Sequence, residues 1–127
     1  MKWSIPASIL LPFYLLLSLN MQSQDSKIPY GNYKEAGAFY DIRGFKMYCE
    51  IYGEGQPLLM IHGNGGSIDN FVNQIPYFTK KYKVIIADNR AQGQSADNGD
   101  SLSYEMMADD YATLLSLLKI DYAFVIG

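Results

Sequence analysis

The apolar positions of this 127-residue chain change rhythm along its length, and each rhythm predicts a different element. Lys2 is followed by a mostly apolar run from Ile5 to Leu19, broken by Pro6, Pro12 and a few serines. Gln24 to Ala36 keeps no sustained period and carries Pro29 and Gly31, so it reads as a linker or a loosely docked arm. From Gly37 the pattern sharpens into two strands, Ala38–Ile42 and Lys46–Tyr52, around an Arg43-Gly44 turn. In the second, Met47, Cys49 and Ile51 share one face, and Lys46, Tyr48 and Glu50 share the other. That alternation predicts an antiparallel hairpin at a sheet margin, wet on one side.

After the Gly53-Glu54-Gly55 turn the alternation stops. Leu58–Ile61, Val84–Ala87 and Ala123–Ile126 are short apolar runs of the kind that forms parallel strands buried on both faces. Two helices are expected between them. The first runs from Ile68 or Asp69 to Phe78, with Phe71, Ile75 and Phe78 at helical spacing and a distortion at Pro76. The second runs from an N-cap at Ser103 to Lys119. Met107, Tyr111, Leu114, Leu115 and Leu118 form its apolar stripe, and Asp109 and Asp110 read as a solvated face. Hairpin, strand, helix, strand, helix, strand is an α/β order. Right-handed crossovers make the last three strands parallel and gather the loops at His62, Asp88 and Gly127 on one sheet edge.

Charge and composition narrow the picture. A basic residue, a short apolar core and a polar region fit a secretory signal peptide over residues 1–23, cut near Ser23, which implies export; an uncleaved anchor is the alternative. Losing that segment removes Lys2 alone among the charges and leaves a net charge of −4. Apart from Lys80, Lys81 and Lys83 the chain has no basic cluster, so no nucleic-acid partner is expected. No membrane contact beyond the signal segment is expected either. Cys49 is the only cysteine, which rules out an intrachain disulfide and suits a small buried hydrophobe.

The chemistry concentrates where Pro57-Leu58-Leu59-Met60-Ile61 runs into His62-Gly63-Asn64-Gly65-Gly66. A glycine-rich loop between a strand and a helix can aim unpaired amides at one point, and so hold a bound anion or the oxyanion of a reacting carbonyl. The plainer reading is that Gly63, Gly65 and Gly66 only permit a sharp turn. No metal-ligand spacing occurs, and no cofactor is implied. The lysine of a triphosphate-binding loop is missing too.

The ordered combination resembles the N-terminal half of the α/β-hydrolase superfamily from Gly37 to Gly127. His62-Gly63 stands where that family has His-Gly after its third strand. Asp88-Asn89-Arg90-Ala91-Gln92-Gly93-Gln94-Ser95 stands where it has D-x-R-G-x-G-x-S after its fourth, with Ala91 in place of a glycine. If that position needs a positive φ, the replacement costs about 1 kcal/mol. The resemblance implies an oxyanion donor at Asn64, with Gly65 the next candidate. It gives His62, Gly63, Asp88, Arg90 and Gly93 supporting roles in the loops, Asp88 and Arg90 by satisfying loop backbone groups. It also implies that His62 is not the catalytic base, which in this family comes late in the chain.

The family's nucleophile elbow, G-x-S-x-G after strand 5, is absent: Gly93-Gln94-Ser95-Ala96-Asp97 and Gly65-Gly66-Ser67-Ile68-Asp69 both fail its pattern. Gly127 falls where the elbow's first glycine belongs. The expectation is therefore a truncated hydrolase, inactive alone. Its full-length relative would act on a small-molecule substrate by ester or amide hydrolysis, or with an Asp nucleophile by dehalogenation or epoxide opening. A separately encoded C-terminal half is a candidate partner. A different class also fits: a non-catalytic module that binds an anion or small ligand in the Asn64–Gly66 loop.

Overall fold

The computed structural model describes residues 27–127; the expected signal segment, 1–23, and the start of the 24–36 linker lie outside them. The elements in order are β1 (Gly37–Ile42), β2 (Phe45–Tyr52), β3 (Gln56–Ile61), a 3-10 turn (Ile68–Phe71), α1 (Ile75–Phe78), β4 (Tyr82–Ala87), α2 (Tyr104–Leu117) and β5 (Phe124–Ile126). They build one five-stranded sheet in the order β1-β2-β4-β3-β5. The hairpin is antiparallel, with Ile42 opposite Phe45, and β2 meets β4 antiparallel with Cys49 opposite Ala87. β3 is parallel to both β4 and β5, with Ile61 level with Ala87 and Met60 level with Ile126. The carboxyl ends of these three adjacent strands therefore finish together on one edge.

Strand periodicity splits the core in two. Met47, Cys49, Leu59, Ile85 and Ala87 face α2, where Tyr111 and Leu114 meet them. Tyr48, Leu58, Met60, Val84 and Ile86 face the other way, under Ile68 and Ile75. α2 begins as expected, the Ser103 hydroxyl accepting from the Met106 amide at 3.1 Å. It ends in a Schellman closure, Ile120 N–H to Leu115 C=O and Lys119 N–H to Ser116 C=O, with Lys119 at φ +58 where glycine is usual.

Three expectations need correction. The hairpin face expected to be wet is so only in part: Phe39, Asp41 and Lys46 are exposed, but Tyr48 and Glu50 are buried. The Glu50 carboxylate accepts from the amides of Gly31 and Tyr33 and from the hydroxyls of Tyr48 and Tyr52, all at 2.7–2.9 Å. Four donors replace the water that a buried carboxylate loses, and two of them tie the arm before β1 across the sheet. Burial, and then the Glu50 hydrogen bonds, raise the pKa of both tyrosines, so they remain donors. The first helix is not one bent helix but a 3-10 turn and a separate short helix. Pro76 lies in the first turn of α1, where its missing N–H is not needed. Finally, β5 is not buried on both faces, since Phe124 and Val125 are exposed at the sheet edge.

Candidate functional site

β3 and β4 deliver two loops side by side at their carboxyl ends, and His62 joins them. A backbone amide can only donate, so Asn89 N–H at 3.0 Å makes His62 Nε2 an acceptor. The ring proton is then on Nδ1 and is donated to the Gly63 carbonyl at 2.8 Å. Asn89 Nδ2 completes the joint by donating to the His62 carbonyl at 3.0 Å. Its Oδ1 accepts from the Tyr111 hydroxyl at 2.7 Å, so α2 is tied to the same point. His62 is buried, with both ring nitrogens engaged.

Most amides of the glycine-rich loop are also engaged. Gly65 N–H donates to Gln92 Oε1 at 2.8 Å, Gly66 N–H to the Gly63 carbonyl, Ser67 N–H to Asn70 Oδ1, and Ile68 N–H to Asp88 Oδ1. Asn64 is the one amide from Asn64 to Ile68 with no protein acceptor among the described residues. The loop leads into a 3-10 turn of four residues, too short for a useful helix dipole. The Asn64–Gly66 segment is thus not an open anion nest: Gly65 and Gly66 have already committed their donors.

Asp88 organises the second loop. Its carboxylate accepts from Ile68 N–H at 2.9 Å and Gln94 N–H at 2.7 Å, satisfying backbone groups of both loops. Burial raises its pKa, while those two amides pull it down. Gly93 has φ +53, and a Cβ there would run into the Asp88 carboxylate, so no other residue fits. The Ser95 hydroxyl accepts from Tyr48 N–H at 2.9 Å and donates to the Asp88 carbonyl at 2.6 Å, bridging β2 and β4 where they diverge.

Arg90 does something other than expected. It serves no loop backbone group; it forms a two-pronged pair with Asp110 on α2, Nε to Oδ2 at 2.9 Å and Nη2 to Oδ1 at 2.7 Å. That bonding raises the Arg90 pKa further, and its guanidinium also lies 4.3 Å from the Phe45 ring centroid. Arg43 from the hairpin turn reaches Asp110 at 3.2 Å. Asp110 is 0% exposed, so the solvated-face reading holds for Asp109 alone.

Above the two loops a cleft of about 340 Å³ opens between Ile61, Gly63, Asn64 and Asn89 on one side and Tyr104, Met107, Ala108 and Tyr111 of α2 on the other. None of these side chains is charged. Among the described residues no group of three or more His, Cys, Asp or Glu side chains could hold a metal ion.

The family model described as alpha/beta hydrolase fold matches residues 56–127, more than half of the chain. The chain belongs to the alpha/beta hydrolase fold family. It is 34% identical over 86 residues to the soluble epoxide hydrolase of Corynebacterium sp. (strain C12), covering 68% of this chain and 30% of that protein. The solved epoxide hydrolase CorEH superposes with a TM-score of 0.70 at 32% identity, over 72% of this chain and 32% of its own. The bromoperoxidase of Bacillus anthracis gives 0.67 at 28% identity, over 72% and 34%. The chain thus spans about 30% of the length of the curated relative.

Within this alpha/beta hydrolase segment, the structure brings His62, Gly63, Asn64, Gly65, Asp88 and Gly93 to one edge, and Arg90 to the adjoining α2 face. Sequence reasoning passed over three residues. Asn89 and Gln92 occupy the variable positions of the Asp88–Ser95 motif, where nothing but the fold reveals their partners. Asp110 did leave a signal: Met107, Asp110, Tyr111 and Leu114 follow i, i+3, i+4, i+7, which places it on the buried stripe.

Proposed function

We propose that this chain forms the oxyanion-side part of an α/β-hydrolase active site. The Asn64 amide meets the oxygen on which negative charge develops, and the nucleophile, acid and base come from sequence other than these 127 residues. The observation that carries the reading is the Asn64 amide, without a protein acceptor among the described residues, at the mouth of a largely apolar cleft. A donor fixed before charge develops needs little reorganisation, and one such donor is typically worth about 3 kcal/mol in the transition state. The lining suits an uncharged substrate with an apolar group beside the reacting bond. Ester or amide hydrolysis through a covalent intermediate is the first reading. Epoxide opening by a carboxylate nucleophile is the second, favoured by the likeness to the Corynebacterium enzyme.

The chain alone is inactive in this proposal, because it has no nucleophile elbow and its one histidine is fully hydrogen-bonded. The test compares it with the protein extended by whatever coding sequence lies downstream, using aryl esters and an aryl epoxide. Turnover only in the extended protein supports the proposal. Turnover by the 127-residue chain above its His62→Ala variant refutes it. We also propose export after removal of residues 1–23; a mature N-terminus near Gln24 is the expected result of terminal sequencing.

A further inference from the structure

We propose that Gln92 is a positioning residue that decides which loop amide can meet a ligand oxygen. The inference rests on the hydrolase reading of the site and adds its internal control. A primary amide presents an acceptor and a donor side by side. Gln92 uses both on the facing loop, Oε1 accepting from Gly65 N–H at 2.8 Å and Nε2 donating to Asn64 Oδ1 at 2.8 Å. One bond fixes the Gly65 amide and the other the Asn64 side chain, so both residues on either side of that peptide are held. The Gly65 donor is consumed, and the neighbouring Asn64 N–H is left without a protein acceptor among the described residues.

The backbone beneath Gln92 is built to aim it. Its N–H donates to the Asn89 carbonyl at 2.9 Å, and its carbonyl accepts from Ser95 N–H at 3.0 Å. It sits between Ala91 at φ +61 and Gly93 at φ +53. The two residues that flank it, both in the left-handed region and one of them not glycine, turn the chain so that position 92 faces the β3 loop. Through Asn89 the same turn is anchored to His62. Neither Gln92 Oε1 nor Nε2 has another partner among the described residues, so the carboxamide serves the Gly65 amide and the Asn64 side chain alone.

The chemical consequence concerns anions. Two adjacent free amides would grip a carboxylate in the ground state, as a reaction product would be gripped. One amide favours such an ion far less, and saves its bond for the oxygen that gains charge during reaction. Gln92 thereby turns an anion nest into a single oxyanion donor.

The test uses the ¹⁵N-labelled full chain and follows the Asn64 and Gly65 amides. In Gln92→Ala, Gly65 exchange should accelerate roughly three- to tenfold, the factor expected for one lost hydrogen bond. Asn64 exchange should change little. Gln92→Glu keeps the acceptor and should keep Gly65 protected, which a role in bulk packing alone would not distinguish. Acetate is the second probe: it should shift the Asn64 resonance alone in the parent chain, and both Asn64 and Gly65 in Gln92→Ala. If Gln92→Ala fails to fold, Gln92→Asn, one methylene too short to span both partners, takes its place with the same expected result. Unchanged Gly65 exchange, or an acetate shift at Gly65 in the parent chain, overturns the assignment. The exchange readout does not depend on turnover, so absent hydrolysis in the extended protein leaves it standing and falls on the hydrolase reading instead.

Discussion

Ala91 holds a left-handed backbone at φ +61 because its neighbours oblige it to: its N–H donates to the Ala96 carbonyl, and the next residue carries the Asn64–Gly65 contact. An L-residue pays for that conformation in steric energy, whereas glycine adopts it freely. Ala91→Gly should raise stability by roughly 0.5–1 kcal/mol, the relief of strain exceeding the extra entropy of the unfolded chain, as read by a shift in the urea midpoint. Asp110 poses the opposite case. Replaced by Asn, it leaves Arg90 buried with a charge only half answered, and truncating one member of such a pair costs about 3–5 kcal/mol. Urea unfolding of Asp110→Asn should show a loss of that order. The double change Arg90→Met with Asp110→Leu should recover most of it, because apolar residues of similar volume need no partner.

At the scale of elements, α2 shows how much of a helix its own residues specify. Ser103 at the N-cap and the Met107, Tyr111, Leu114 stripe are legible in the chain, and both are where periodicity places them. The C-terminus is less legible, since Lys119 fills the left-handed position of the Schellman closure. Lys119→Gly should therefore stabilise the chain by about 0.5–1 kcal/mol, measured as a rise in the thermal midpoint. The β3–β4 connection was harder to read. Phe71, Ile75 and Phe78 keep helical spacing, yet the helix breaks between Phe71 and Ile75. Pro76 has no N–H to give the Val72 carbonyl and starts a new turn, while Ile68 N–H at the head of the first turn goes to Asp88 Oδ1, a tertiary acceptor. Local period cannot report a hydrogen bond offered by a residue 20 positions away.

Among the described residues the sheet has a well-covered centre and two margins, β1 and β5. Among the described residues β5 pairs with β3 alone and shows Val125 61% exposed, with Tyr122 and Phe124 beside it. An apolar strand edge of this kind templates association. Val125→Lys should raise the monomeric fraction in size-exclusion chromatography without altering the fold. Cys49, between β1 and β4 in the core, reports on the closed centre: burial pushes its thiol pKa up to about 12. The native thiol stays protonated at neutral pH and should react with a disulfide reagent only as the chain unfolds. Since the unfolded thiol ionises at a lower pH than the folded one, stability from this group falls as pH rises from the ordinary thiol range toward about 12. A declining urea midpoint across that window, abolished in Cys49→Ala, is the expected profile.

The chain itself determined its strands, its long helix and the edge on which its loops meet, because alternation, apolar runs and capping residues act over a few neighbours and survive without the fold. Only the tertiary structure decided that Glu50 and Asp110 lie inside, that Gly65 is committed and Asn64 is not, and that Gln92 makes the difference. Those outcomes depend on which polar groups the folded sheet brings within 3 Å of one another, and partners 19 to 28 residues apart in sequence leave no periodic trace.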